Sequence, residues 1–377
     1  MPECGTPLWP CAMTGAAACL AGFEGISVVI HGSSGCYYYP ATLLHTPLYG
    51  TFILENEVIF GSRDRLREVI DSLSGKSDQI AVVTTCVPSA LGEDIRELVS
   101  GGSGLIVVDS PGFAGEMEEG HRAAIAALGP RVNPEQPGVN IDGISLADPF
   151  HEGNFQEVSR LLHRTGIPVG TVFCRDHAEK AKAASPFTIG TNEDLGSGVG
   201  KYLGGTLGIP ALRTTFGRLS EIFDHADVDT AFKELDRQEE RLIHAGDKFL
   251  RRYEPPRVAV FAGAAYALFA AETLKRYLDA EIVVVGTRND PPEKPGGQYR
   301  VEKLSGLEEV SRRIAESDPD LVIGSSFEHS LCPDRAFAGI IPPFRGQVRL
   351  AHYPLAGTGG SLFFVESVLN ACMDRVP

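Results

Sequence analysis

Hydrophobic positions fall into short runs rich in valine and isoleucine, and amphipathic helical patterns separate these runs almost throughout the chain. Such alternation is typical of parallel sheets joined by crossover helices, so the sequence predicts an α/β protein. The predicted strands cover residues 26–31, 80–85, 105–109, 139–144, 169–173, 187–191, 257–262, 281–287, 320–325 and 349–352. The predicted helices cover residues 63–73, 93–100, 120–128, 155–164, 227–253, 265–278 and 307–317.

Two interruptions divide these elements into three units. Residues 129–138 carry three prolines and no periodic pattern, as a linker does. The charged amphipathic helix predicted at 227–253 is followed by Pro255 and Pro256, which stop a helix. We therefore predict a first unit at residues 1–138, a middle unit at 139–256 and a C-terminal unit at 257–377, each built on a small Rossmann-like sheet.

Composition and charge restrict the possible partners. The 377 residues are 43% hydrophobic and 22% charged, as in ordinary globular proteins, and the formal net charge is −15. A chain this acidic repels phosphate backbones, so we expect no nucleic-acid partner.

The apolar stretch 12–30 does not look like a signal peptide, because it contains Glu24 and follows no basic segment. No other apolar run is long enough to span a bilayer. We expect a cytoplasmic protein without a membrane partner.

The start of the chain is poor in charge. Its first 62 residues contain no lysine or arginine, and its first 50 contain only Glu3 and Glu24 as charged side chains. Four of the eight cysteines, including Cys4, lie within the first 36 residues. Reduced cysteines in a cytoplasmic chain serve packing, metal binding or catalysis rather than disulfide bonding. Such a segment is predicted to be buried.

Three cysteines lie where α/β sheets bind ligands. Cys36 ends the sequence ISVVIHGSSGC and Cys86 ends IAVVTTC, so each follows a buried strand and lies near a predicted helix start. The carboxyl ends of parallel strands form a ligand-binding edge, and nearby backbone N–H groups stabilise thiolate. Together with Cys11, on an uncharged loop, they suit a soft metal or an iron–sulfur cluster. On spacing alone, the alternative of buried structural cysteines stays open.

Several ordered motifs resemble the nitrogenase component 1 superfamily. They are Cys11, then HGSSGC, FILENEVIFGSRDRLREVI, TTCVPSALGEDI and SPGFAGEMEEGHRAAI. The later segments FAGAAYALFAAETLKRYLDAEIVVVGT, PDLVIGSS and RLAHYPLAGTGGSLFFVESV resemble the last Rossmann-like domain of that family. The resemblance implies three Rossmann-like domains with parallel sheets around a central cleft, in agreement with the three predicted units.

The resemblance also implies a cofactor. Cys11, Cys36 and Cys86 match the cysteines that hold an iron–sulfur cluster between subunits of the family. We therefore expect a 4Fe-4S cluster at the interface of a homodimer, with the number of clusters per dimer and the fourth ligand left open. Residues 1–138 are then the cluster and dimer-interface domain, and the second copy would bury the charge-poor start.

Departures from the family pattern narrow the expected reaction. The stretch 186–210 has no cysteine where the catalytic nitrogenase subunit supplies one to its iron-molybdenum cofactor, and Asn192 falls nearest that position. The compact chain resembles the branch that contains the nickel-sirohydrochlorin a,c-diamide reductive cyclases of methanogens. This implies an enzyme that reduces a nickel tetrapyrrole and closes its lactam ring in factor F-430 biosynthesis. An iron-protein-like, ATP-dependent reductase would deliver the electrons, since the chain has no Walker A phosphate loop.

The remaining candidates are isolated side chains. His121 matches a family histidine near the buried cofactor, and His352 ends a predicted strand; each is a candidate proton donor or a structural histidine. Cys19 lies in an alanine-rich stretch and is predicted to pack rather than to bind. Four arginines are candidates for pairing with substrate carboxylates or for surface salt bridges: Arg213, Arg218, Arg345 and Arg349.

Three alternatives to the cyclase stay open on the sequence. The chain can be another nitrogenase-like reductase with a different small substrate. It can be a scaffold on which a metallocluster is assembled before transfer to another protein. It can also be a cofactor-free α/β binding protein, which iron and sulfide analysis would distinguish from the other two.

Overall fold

The structure is a computed structural model that describes residues 8–98, 104–291, 299–346 and 348–374. Within these residues the strands form three open sheets, and every strand pair is parallel. The first sheet has the order β2-β1-β3-β4, with β1 (Ile26–His31), β2 (Tyr49–Gly50), β3 (Gln79–Thr84) and β4 (Leu105–Asp109). The predicted α/β class with parallel sheets is confirmed.

The other two sheets follow in chain order. The middle sheet, of order β6-β5-β7-β8, contains β5 (Val139–Asp142), β6 (Val169–Val172), β7 (Phe187–Gly190) and β8 (Lys201–Gly205). The C-terminal sheet, of order β11-β10-β9-β12-β13, contains β9 (Arg257–Ala262), β10 (Glu281–Thr287), β11 (Val301–Lys303), β12 (Leu321–Gly324) and β13 (Ala336–Gly339). Each sheet falls within one of the predicted units, whose boundaries stay a prediction.

Helices connect the strands and link the sheets. Those of the first unit are α1 (Ala12–Gly22), α2 (Ser34–Leu44), α3 (Glu55–Phe60), α4 (Arg63–Leu73), α5 (Cys86–Leu91), α6 (Ile95–Leu98) and α7 (Met117–Leu128). Those of the middle unit are α8 (His151–Thr165), α9 (Ile209–Ser220) and α10 (Val228–Leu250). Those of the C-terminal unit are α11 (Ala264–Leu278), α12 (Leu307–Ser317), α13 (Ser326–Leu331) and α14 (Gly357–Met373). None of the helices in the described residues has the length and hydropathy needed to cross a bilayer.

The close crossing of α1 and α7 depends on two glycines. A Cβ at Gly15 would lie 1.9 Å from the carbonyl oxygen of Met117, and a Cβ at Gly120 would lie 1.7 Å from that of Ala12. Both distances are far below van der Waals contact, so only glycine permits the backbones to approach this closely. The crossing carries α1 deep into the core, where its residues 12–20 are buried.

Burial of α1 revises the explanation of the charge-poor start. The chain's own helix α7 and strand β1 cover α1, so this part needs no second copy to bury it.

Apolar side chains further along the first unit remain exposed, with Ile59 70% and Phe60 85% accessible. We call these side chains the apolar rim: Tyr38, Tyr39, Phe52, Leu54, Val58, Ile59, Phe60, Leu91 and Phe113.

One predicted strand was wrong, and four strands were missed. Residues 349–352 form no strand, because β13 occupies the edge of the C-terminal sheet beside β12. Of the helix predicted at 93–100, residues 95–98 form α6, and residues 99 and 100 lie outside the described residues; Gly92, left-handed at φ 71°, separates α6 from α5. The missed strands β2, β8, β11 and β13 are short, and three of them contain glycine, so they lack a strong apolar pattern.

Candidate functional site

The three cysteines predicted as cluster ligands lie at one edge of the first sheet. Strands β1 and β3 pair in register from Ile26 with Gln79 to His31 with Thr84, so both strands end at the same level. Cys36 lies in the first turn of α2, after β1, and Cys86 begins α5, after β3. Cys11 precedes α1 as its N-cap residue. All three thiols are free and only partly buried.

Electrostatics indicate that the three thiols lie near one another. Burial raises the pKa of the Cys36 thiol, and the charges of Cys86 and Cys11 act in the same direction. The backbone N–H of Gly112 donates a hydrogen bond of 3.2 Å to Sγ of Cys86. Cysteine sulfurs are the usual protein ligands of iron–sulfur clusters, so this donor set fits such a cluster.

A buried histidine supports the loop between these cysteines. His31 Nδ1 lies 3.2 Å from Thr51 Oγ1, and its Nε2 lies 3.0 Å from Ser62 Oγ. Burial lowers the pKa of His31, although the nearby Glu93 carboxylate opposes this change. Both ring nitrogens are engaged within the protein, which leaves His31 in the role of fixing the turn between β1 and α2.

Cys19, which was predicted to pack, lies with Cys174 beside His121 in the core. Sγ of Cys19 is 3.3 Å from Sγ of Cys174, and Sγ of Cys174 is 4.0 Å from Nε2 of His121. Burial opposes ionisation of the Cys19 thiol, but the hydrogen bond with Cys174 and the charge of His121 outweigh it and lower its pKa to about 6. The structure therefore places His121 among thiols in the core.

A cavity of about 410 Å³ lies where the three units meet. Its lining includes Glu118 on α7, which is buried, and Asp194 between β7 and β8, which is half-buried; neither was singled out from the sequence. Burial raises the pKa of Glu118 to about 8 and that of Asp194 to about 6, and repulsion between the two carboxylates adds to the first shift. The full lining is Glu118, Glu119, Arg122, Glu193, Asp194, Ala264, Ala265, Leu268, Asn289 and Asp290.

Hydrogen bonds hold the two acids in this cavity. Nε1 of Trp9 donates to both carboxylate oxygens of Glu118, at 3.1 and 3.2 Å. Asp194 accepts from the backbone N–H of Ala265 at the start of α11, at 3.0 Å. A buried carboxyl group with a raised pKa holds a proton near neutral pH and can deliver it to a reduced substrate.

The pH dependence of stability tests the state of Glu118. Its pKa is higher in the folded chain than the ordinary value of 4.5, so folding is favoured by the protonated form and that stability is lost as the pH rises from about 4.5 through 8. In Glu118→Gln we expect the free energy of unfolding to lose a pH-dependent component on the order of 4 kcal/mol over this interval. Urea denaturation at several pH values measures it.

A matched control is Glu240→Gln, because Glu240 is exposed on α10. We expect this variant to retain the pH profile of the unsubstituted chain. Equal profiles for Glu118→Gln and the unsubstituted chain would contradict the raised pKa of Glu118.

The other candidates from the sequence lie apart from this cavity or serve the fold. Oδ1 of Asn192 accepts a hydrogen bond of 3.1 Å from the backbone N–H of Asp194 and so caps a short 3-10 turn. Arg213 pairs with Asp236 at 2.9 Å and with Glu239 at 3.0 Å on a mostly exposed face. Arg218 donates to the carbonyl oxygen of Leu203 at 2.7 Å.

His352 belongs to an exposed segment that follows β13. Val348 and Leu350 are 86% and 92% accessible, and His352 is also exposed. The guanidinium of Arg349 lies 3.5 Å from the ring centroid of Phe344, and Arg345 lies 5.6 Å from that of Phe327. This segment, residues 344–346 and 348–353, thus holds two arginines beside aromatic rings and an exposed histidine, and guanidinium groups pair with anions.

Comparisons with known proteins bear on both the fold and the family. The family described as nitrogenase component 1 type oxidoreductase matches residues 11–373. The nitrogenase iron-molybdenum cofactor biosynthesis protein NifE of Clostridium pasteurianum is 24% identical, over 95% of this chain and 86% of that protein. The nitrogenase molybdenum-iron protein alpha chain of Methanothermobacter marburgensis is 22% identical, over 90% of this chain and 82% of that one.

A solved structure shares the whole architecture. The structure described as nitrogenase Cp1 at pH 6.5 superposes with a TM-score of 0.83 at 18% sequence identity, and the match covers 98% of this chain and 93% of that one. Nearly the entire length of the chain therefore has the fold of that structure.

Proposed function

Since this chain belongs to the nitrogenase component 1 type oxidoreductase family, we propose that it is the iron–sulfur component of a nitrogenase-like reductive cyclase. Its substrate is nickel-sirohydrochlorin a,c-diamide, which it reduces and closes to a lactam in factor F-430 biosynthesis. A separate iron-protein-like reductase hydrolyses ATP and supplies the electrons. The active form is a homodimer.

The arrangement of Cys11, Cys36 and Cys86 supports this proposal most. The three thiols are partly exposed at the edge of the first sheet, where the charges of Cys86 and Cys11 add to the burial that raises the pKa of Cys36. The apolar rim lies in the same unit, on helices α2, α3 and α5 and on the turns beside them. Exposed apolar side chains of this size mark an interaction surface. A second copy covering the rim would keep water from the three thiols.

The residues of the chain have distinct parts in this function. Cys11, Cys36 and Cys86 would hold a 4Fe-4S cluster, which supplies one-electron transfer when bound. Gly112 N–H donates a hydrogen bond to Sγ of Cys86. In the cavity between the three units, Glu118 holds a proton near neutral pH, whereas Asp194, with a pKa of about 6, takes one up only below neutral pH. His121 and His352 stay candidate proton donors.

The substrate assignment has two supports. Residues 186–210 offer no cysteine to a metal-cluster cofactor, which favours a substrate that brings its own metal. The segment of residues 344–346 and 348–353 combines Arg345, Arg349 and His352 with aromatic rings, as recognition of a flat macrocycle with carboxylates requires.

An anaerobic turnover assay tests the proposal. The cluster-loaded chain is incubated with nickel-sirohydrochlorin a,c-diamide, an iron-protein reductase, ATP and a low-potential electron donor. We expect a product whose mass matches reduction and lactam closure, and no product when ATP or the reductase is left out. Unchanged substrate in a preparation with a full complement of iron and sulfide would refute the cyclase assignment.

A second candidate function is a scaffold for metallocluster assembly. The similarity to the iron-molybdenum cofactor biosynthesis protein NifE, which extends over 95% of this chain, favours it. A scaffold would release its cluster to an acceptor protein and would leave the tetrapyrrole unchanged. Transfer of labelled iron from the loaded chain to an apo-acceptor, without tetrapyrrole turnover, would select this alternative.

A further inference from the structure

We propose that Cys19, His121 and Cys174 form a buried binding site for a thiolate-preferring d10 metal ion, with zinc(II) as the probe. The ligands come from α1, α7 and the segment that follows β6. They include none of the three cysteines assigned to the iron–sulfur cluster, so the inference does not rest on the proposed function. A metal-bound His121 would not donate a proton to substrate, which leaves that role to the other candidates.

The geometry of the three side chains carries this proposal. One ligand atom from each residue lies within 4.8 Å of the other two, and all three residues are buried. The two sulfur atoms are 3.3 Å apart. Tetrahedral zinc with bonds of about 2.3 Å to sulfur needs a separation of about 3.8 Å, so a shift of about half an ångström would admit the ion.

Two further observations point to a ligand at this place. Nδ1 of His121 is buried and has no hydrogen-bond partner within the described part of the chain. Cys174 has a left-handed backbone at φ 57°, which is uncommon for any residue other than glycine and marks a functional constraint. The other ring nitrogen, Nε2, lies 4.0 Å from Sγ of Cys174, so the ring of His121 has no strong hydrogen bond that binding an ion would have to break.

The chemistry of the donor set selects the class of metal. Two thiolates and one imidazole are soft or borderline ligands, which favour zinc(II) over magnesium or calcium. A doubly charged ion with two thiolates and a neutral imidazole is electrically neutral, as a site without water requires. The adjacent Asp142 has both oxygens occupied, by the backbone N–H of Gly143 at 2.9 Å and by Ser197 at 2.6 and 2.7 Å.

The site would join two units of the protein. Cys19 and His121 belong to the first unit and Cys174 to the middle one, where Gly22 permits contact because a Cβ there would lie 2.2 Å from the carbonyl oxygen of Cys174. Because α1 begins just after Cys11, an ion bound to Cys19 would also fix the position of that cluster ligand.

Metal analysis and zinc-edge X-ray absorption of the full chain test the proposal, since the zinc edge is separate from that of iron. In protein supplied with zinc without oxygen, we expect one zinc per chain with two sulfur ligands and one nitrogen ligand. Cys174→Ser and Cys19→Ser should retain zinc at least about tenfold less well against a chelator. Cys372→Ser, which alters a cysteine of α14, should retain it unchanged.

Three results would overturn the proposal. They are absence of zinc from the unsubstituted chain, zinc retention that is the same in Cys174→Ser, and an absorption spectrum without two sulfur neighbours. Because the measurement on the unsubstituted chain stands by itself, poor folding of a variant does not decide the outcome. Iron content, measured in the same samples, reports on the proposed cluster separately.

Discussion

Replacing Cys86 by serine is expected to remove the iron–sulfur cluster and all activity that depends on the reductase. Serine has nearly the same shape and can accept the hydrogen bond from Gly112 N–H, so the fold around α5 should persist. Its hydroxyl does not form the soft anion that iron requires. Losing a hydrogen-bond partner of a metal ligand lowers metal affinity or activity about 10- to 100-fold. Losing the ligand itself should therefore lower the affinity for the cluster at least about 100-fold.

Iron and acid-labile sulfide, measured on protein purified without oxygen, check this result. The visible absorption of the cluster should fall together with the iron content, and the melting temperature of the monomer fold should change little. Cys372→Ser is the matched control, because Cys372 is half-buried in α14 and away from the first sheet. Full iron content in Cys86→Ser, or equal loss in the control, would reject Cys86 as a ligand.

Replacing Arg288 by methionine is expected to produce a large loss of stability. Arg288 and Glu328 form a fully buried ion pair at the end of the C-terminal sheet, where β10 and β12 lead into their loops. Arg288 Nη1 also donates to the carbonyl oxygen of Leu304 at 2.7 Å. Removing the arginine leaves the Glu328 carboxylate buried without its cation, which costs about 3–5 kcal/mol of unfolding free energy.

A double substitution separates the charge from the packing. In Arg288→Met/Glu328→Gln the buried charge is gone. The glutamine oxygen can still accept the hydrogen bonds that Ser325 N–H and Ser325 Oγ–H donate to Glu328 in the unsubstituted chain, at 2.7 and 2.6 Å. We expect this variant to recover part of the loss, as measured by urea denaturation. Lys275→Met, which removes an exposed pair with Asp279, should change the free energy of unfolding far less than Arg288→Met does. A similarly small effect of Arg288→Met would contradict the argument.

The periodic pattern predicted the elements that are long or fully buried. Strands β1, β4, β9 and β10 and helices α4 and α12 have the predicted bounds, because continuous apolar runs or a clear amphipathic face define them. The short strands at sheet edges were missed, since two to five residues with glycine carry little pattern of their own. Residues 349–352 were wrongly predicted as a strand, because their apolar residues are exposed rather than paired.

The candidate site was predictable only where it follows local motifs. Cys36 and Cys86 each lie in the first turn of the helix that follows a strand the sequence predicts, and parallel pairing in register brings those strand ends together. Cys174 and Glu118 carried no such signal. Cys19 was predicted to pack, and packing is what brought it to His121, through the crossing of α1 and α7 at Gly15 and Gly120.

The sequence by itself determined the α/β class, the parallel strands and the positions of Cys36 and Cys86 after two strands of the first sheet. Hydrophobic periodicity and strand-to-helix turns are local properties, which is why the sequence carries them. The tertiary structure alone decided the rest. Cys19 and Cys174 are 155 positions apart, and the cavity of Glu118 and Asp194 takes residues from all three units. Such groups meet only when helices and sheets bury their apolar faces against each other, and burial in turn shifts the ionisation of Cys19, Glu118 and Asp194.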